Sequence, residues 1–150
     1  MLRDTIKSAT VTSMKAGDKD RTATLRLIGA KIKDRDIELR TSSKDIDDEA
    51  MVIEVLQKMA KQRRESITMF EDGGRTELAE KERAELAVIE EYLPQQMDEA
   101  ATMAAIEAVK TDLGAEGPKD MGKVMAELKS RHGAQLDMSK ASALVKAALT

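Results

Sequence analysis

Apolar positions along the chain recur at steps of three, four and seven, the period of a helix face, and nowhere alternate as in a strand. A first helix is predicted from about Leu2 to Ala16, with Leu2, Ile6 and Ala9 on one side. Gly17 ends it, and Asp18 offers a side-chain acceptor to the start of the next. The second helix runs from about Asp18 to Arg40. Leu25, Ile28, Ile32 and Leu39 share one face, while Arg26, Lys33 and Arg40, seven residues apart, are aligned on another. Thr41, Ser42 and Ser43 form a polar break. A third helix, about Asp48 to Asp72, takes Asp45 or Asp47 as its cap and buries Val52, Val55, Leu56 and Met59, with Ile67 and Phe70 continuing the stripe. Gly73-Gly74 stops it. Arg75 and Thr76 open a fourth helix, to about Leu93, with Leu78, Leu86, Ile89 and Leu93 as its face.

Pro94 ends that helix, because the residue before a proline is steered away from helical geometry. Composition also changes there, from highly charged to Ala- and Met-rich, so the predicted domains are 1–93 and 94–150. In the second, Asp98 caps a helix from about Glu99 to Leu113, with Met103, Ile106, Val109 and Leu113 inward. Gly114 and Gly117 break it, and Pro118 suits the first position of a sixth helix, where its missing N–H costs nothing. Met121, Val124, Met125 and Leu128 form the face of that helix, which ends at His132-Gly133. Asp137 or Ser139 caps a seventh, to about Leu149, with Leu144, Val145, Ala148 and Leu149 inward. The expected fold is all-α: an N-terminal multi-helical domain followed by a small three-helix C-terminal domain.

Composition narrows what such a protein does. Phe70 and Tyr92 are its only aromatics, so the core is aliphatic and the ten Met serve as gap-fillers or adaptable contact surface. The absence of Cys excludes disulfides and thiolate chemistry. No stretch approaches a membrane span, and the segment from Met1 to Lys15 lacks the apolar run of a signal peptide, so a cytoplasmic protein without a membrane partner is expected. Net charge is −3, so nucleic-acid binding must rest on a local basic face. Charge is indeed uneven, with 11 Lys/Arg against 6 Asp/Glu from Met1 to Lys44, and 3 against 9 from Glu65 to Leu93. Solvated helix faces account for this as well as a functional surface does.

Catalytic machinery is not visible. The lone His132 at a helix end reads as a partner of the helix dipole, and there is no second His for a zinc site. Gly114, Gly117 and Gly122 follow no strand and make no phosphate loop, so no cofactor is expected. The many Glu of the fourth helix interleave with Lys81 and Arg83, as ordinary salt-bridging does. Two basic groups remain. Lys61, Arg63 and Arg64, with Lys58, either contact phosphates or pair with the acidic fourth helix. Lys119, Lys123, Lys129, Arg131, Lys140 and Lys146 outnumber the acids near them. With no aromatic platform, RNA would be recognised by shape and backbone.

Several segments resemble the GatB/YqeY family across essentially the whole chain. They include Lys61-Gln62-Arg63-Arg64, Tyr92-Leu93-Pro94 and Lys119-Asp120-Met121-Gly122-Lys123-Val124-Met125, in that order. The resemblance implies a free-standing relative whose C-terminal domain is similar to the tail of the B subunit of glutamine-dependent aminoacyl-tRNA amidotransferase, a tail that contacts tRNA. It also implies partners: tRNA, and an aminoacyl-tRNA amidotransferase or another translation protein, but not DNA. A carbon–nitrogen ligase activity with glutamine as amide donor attaches to such relatives. This chain would serve it by positioning tRNA or the enzyme, not by chemistry of its own. Lys119 and Lys123 fall in the matching motif and are expected phosphate contacts. Gly122 between them allows either tight helix packing or close approach of an RNA backbone. A protein-interaction adaptor that uses a Met-rich helical groove without RNA is the alternative.

Overall fold

The computed structural model describes residues 1–42 and 45–150, so Ser43 of the expected polar break lies outside the described residues. Among them are seven α-helices, two 3-10 turns and no strand. The helices fall into two compact units, Met1–Leu93 and Pro94–Thr150.

The first unit contains α1 (Leu2–Lys15), α2 (Lys19–Arg40), α3 (Asp48–Asp72) and α4 (Thr76–Glu91). The boundaries follow local chemistry. The Asp18 carboxylate accepts from the Arg21 N–H, and Asp47, rather than Asp45, accepts from the Ala50 N–H. Gly17 and Gly74 adopt positive φ, 75° and 69°, reversing the chain where a side chain would be strained. The core gathers Ile6 of α1, Leu25, Ile28 and Ile32 of α2, Met51, Val52, Leu56 and Met59 of α3, and Ile89 of α4. Leu39 joins only partly buried.

The fourth helix departs from its expected face. Leu78 is exposed, and the buried position is Ala79. The inward stripe therefore runs Ala79, Glu82, Leu86, Ile89, with a carboxylate on it. A charged residue at a core-facing position concealed that phase from a reading based on apolar spacing. The charge is met by Arg63 on α3, whose side chain is 15% exposed and lies 2.9 Å from Glu85 and 3.2 Å from Glu82.

The second unit contains α5 (Glu99–Leu113), a 3-10 turn (Pro118–Asp120), α6 (Met121–His132), a second 3-10 turn (Gly133–Gln135) and α7 (Met138–Leu149). Pro118 stands first in the 3-10 turn, one short element earlier than expected. Asp98 caps α5 by accepting from Ala101, and Asp137 caps α7 by accepting from Ser139 and Lys140. Ile106, Val109, Val124, Leu128, Ala141, Val145 and Leu149 form the core. Met103 and Leu113, expected inward, are exposed, while Thr102 and Ala105 are buried. The Thr102 hydroxyl donates to the Asp98 carbonyl at 2.8 Å, which allows a polar side chain in the interior. The chain before α5 is tied down by Met97 N–H to Gln135 O, 2.9 Å.

Candidate nucleic-acid interface

The two basic groups singled out by sequence have different fates. Arg63 and Arg64 turn toward the acidic helix: Arg63 binds Glu82 and Glu85, and Arg64 donates to Glu90 at 3.1 Å. Lys61, on the same helix, is exposed and makes no ion pair among the described residues. The dense cluster is thus mostly an inter-helix clamp, and a phosphate would have to displace carboxylates already in place.

In the second unit the arginine behaves likewise. Arg131 donates to Asp112 on α5 and to Glu127 on its own helix, both at 2.8 Å, and these bonds hold its guanidinium above its ordinary pKa. Lys110 is structural as well: its ammonium donates to the Ala148 carbonyl at 3.1 Å, at the end of α7 where a cation suits the dipole. The five lysines do not share this role. Lys119, Lys123, Lys129, Lys140 and Lys146 are all exposed, and their ammonium groups make no hydrogen bond or ion pair among the described residues.

They do not all converge. Lys119 and Lys123 are four residues apart across the 3-10 turn and the first turn of α6, so they lie together. Lys129 is six residues beyond Lys123 and emerges about 120° around the helix. Lys140 and Lys146 have the same six-residue offset on α7. Lys119 and Lys123 are therefore neighbours along the chain, while Lys129 stands on another face of α6 and Lys140 and Lys146 stand on different faces of α7.

That pair flanks an ordered turn. Asp120 accepts from the Glu116 N–H at 3.0 Å, and this backbone bond is the chief reason its carboxyl sits below the usual carboxylate range. A second backbone bond from Gly117 and the charges of Lys119 and Lys123 add to the effect. Between the lysines, Gly122 is exposed, and a Cβ built there would meet nothing within 4 Å. Tight helix packing is therefore not what places a glycine at this position. It leaves bare backbone beside the two ammonium groups.

A cleft of about 410 Å³ opens elsewhere on the same unit, where the starts of α5 and α7 meet, lined by Met97, Thr102, Lys140, Ala141 and Leu144 among others. Apolar spacing gave no sign of it, because its lining comes from two helices far apart in the chain. Among the described residues no group of three His, Cys, Asp or Glu is arranged to hold a metal ion, and no helix is long and apolar enough to cross a membrane. His132 stands in the last turn of α6.

Comparison with known proteins places the whole chain. The chain is 31% identical over 94 residues to the protein C22F3.15 of Schizosaccharomyces pombe, covering 63% of this chain and 73% of the yeast protein. The family profile described as Yqey-like protein matches residues 3–149, spanning both units. The chain accordingly belongs to the YqeY-like family.

Proposed function

We propose that this protein is a tRNA-associated binding module that performs no chemistry of its own. The observation that carries the reading is the Lys119–Gly122–Lys123 surface: two exposed, unpaired ammonium groups beside backbone that no side chain covers. Lysine without a carboxylate partner exchanges counterions for phosphates at no cost in broken ion pairs. The resemblance of residues 94–150 to the tRNA-contacting tail of the amidotransferase B subunit supports the same direction. With no aromatic side chain in that unit, contact is to the RNA backbone and its shape.

The test is binding of the full chain to bulk tRNA at two salt concentrations, with duplex DNA as control. Lys119→Glu with Lys123→Glu is expected to weaken tRNA binding by about tenfold or more and to flatten the salt dependence by about two phosphate contacts. Unchanged affinity in that double variant would remove the site.

A second reading is favoured by the cleft between α5 and α7. Its lining by Met97, Ala141 and Leu144 suits an apolar side chain of a partner protein, as an adaptor requires. A tRNA-free complex whose formation is lost with Leu144→Glu would support that role.

A further inference from the structure

The sequence set aside one pattern that the C-terminal lysines do not use: Arg26, Lys33 and Arg40, seven residues apart on α2. Helices α1 and α2 run antiparallel. Near their shared turn the Thr22 hydroxyl donates to the Ser13 hydroxyl at 2.9 Å, and at the far end Arg3 donates to Asp36 at 2.8 and 2.9 Å. On the edge of this hairpin Arg26 reaches the Met14 sulfur at 3.3 Å. Lys7 lies seven residues before Met14 and Lys33 seven residues after Arg26, so the two lysines face each other across the helices. The charges of Lys7 and Arg40 are both felt by Asp36, which places them at the same end of the edge.

Four exposed cations therefore line one edge over about 21 Å, taking a 1.5 Å rise per residue from Arg26 to Arg40. None makes an ion pair among the described residues. Other arginines of the unit do so: Arg3, Arg21, Arg35, Arg63, Arg64 and Arg83 each have a carboxylate partner. Two carboxylates near Lys7, Asp36 of α2 and Asp48 of α3, are bound by Arg3. The unit is polarised around this edge, with 10 Lys/Arg against 5 Asp/Glu on α1 and α2, and 6 against 12 on α3 and α4. Such a distribution aims a positive field outward from the hairpin.

We infer that the α1/α2 edge of the first unit is a second phosphate-contacting surface, on which Lys7, Arg26, Lys33 and Arg40 take the backbone of a folded RNA. This rests on the proposed tRNA reading and makes contact with RNA bipartite, one surface on each unit. The edge has no aromatic side chain, so it grips without reading bases.

The experiment compares the full-length wild type, R26Q/K33Q/R40Q and K119E/K123E for bulk tRNA binding across a salt series. Helix content is checked for each by circular dichroism. Loss of three phosphate contacts is expected to reduce the slope of log K against log salt by about 2 to 3, and R26K/R40K is expected to retain the slope. A triple variant with the wild-type slope overturns the inference. If K119E/K123E then loses affinity, the proposed function stands alone. A triple variant that loses the slope while K119E/K123E keeps it supports the edge and removes the C-terminal site. Wild-type protein that binds poly-glutamate but not tRNA overturns both, in favour of an acidic protein partner.

Discussion

The two units divide positive charge differently. In the first, most arginines are committed between helices, apart from the free α1/α2 edge: Arg63 and Arg64 clamp α3 to α4, Arg21 binds Glu91, and Arg3 holds α1 to both Asp36 of α2 and Asp48 of α3. In the second, only Lys110 and Arg131 are spent on structure, while five lysines stand in solvent without an ion pair among the described residues. The guanidinium fork meets two oxygens at fixed geometry and suits a permanent clamp, whereas an ammonium on a flexible stem suits a changing partner. Changing arginines of the clamp should therefore alter stability, and changing the second unit's lysines should alter binding.

The largest expected effect is Arg63→Ala. It leaves Glu82 and Glu85 together at the α3/α4 interface with no cation between them, on a stripe that otherwise holds Ala79 and Ile89. A fully buried broken pair costs roughly 3–5 kcal/mol, and partial exposure reduces this to about 2–3 kcal/mol. Denaturant melts would measure it. A loss below about 0.5 kcal/mol would show the pair to be an ordinary surface contact. The K119E/K123E variant should do the reverse, lowering tRNA affinity about tenfold while leaving the melt nearly unmoved.

Acid should separate the units next. Arg3 donates to both Asp36 and Asp48 and holds their carboxyls below the usual carboxylate value of 3.8. A carboxyl depressed in the folded state contributes fully above its unfolded pKa and loses that contribution as pH falls through its folded value. The thermal midpoint of the first unit should therefore decline as pH drops below about 5, and Asp36→Asn with Asp48→Asn should flatten that decline. The smallest change is Gly122→Ala. It places a methyl in open space on a helix and should raise stability by about 0.5 kcal/mol while weakening tRNA binding. Unaltered binding would mean that bare backbone at Gly122 plays no part.

Much of the fold was legible because caps and stops are written in single residues. Asp18, Asp47, Asp98 and Asp137 each accept from the first turn of the helix they precede, and Gly17, Gly74 and Gly114 sit at positive φ where helices end. Helix phase was less legible. Leu78 and Met103 are larger and more apolar than Ala79 and Thr102, yet the smaller residues are inside. Close approach of helices favours a small side chain, and Thr102 is tolerated because its hydroxyl is satisfied by its own helix. The candidate site was legible as residue types but not as geometry. Sequence could group six cations from Lys119 to Lys146, whereas Lys123 and Lys129 leave α6 on different faces and Arg131 is held by Asp112 and Glu127. The α2 pattern of Arg26, Lys33 and Arg40 was readable, but its meaning depends on Lys7 arriving from α1.

One contact gives the molecule a built-in reporter. Tyr92 is the sole tyrosine in a chain without tryptophan, and its hydroxyl accepts from Arg21 at 3.0 Å, at the junction of α2 with the end of α4. Ultraviolet emission and near-ultraviolet dichroism of tyrosine therefore arise from a single phenol, and that phenol belongs to the first unit. No label has to be introduced to watch α2 separate from α4. Far-ultraviolet dichroism, by contrast, sums helices from both units. Monitored together during a melt, the two signals coincide if the units unfold as one and part if they do not.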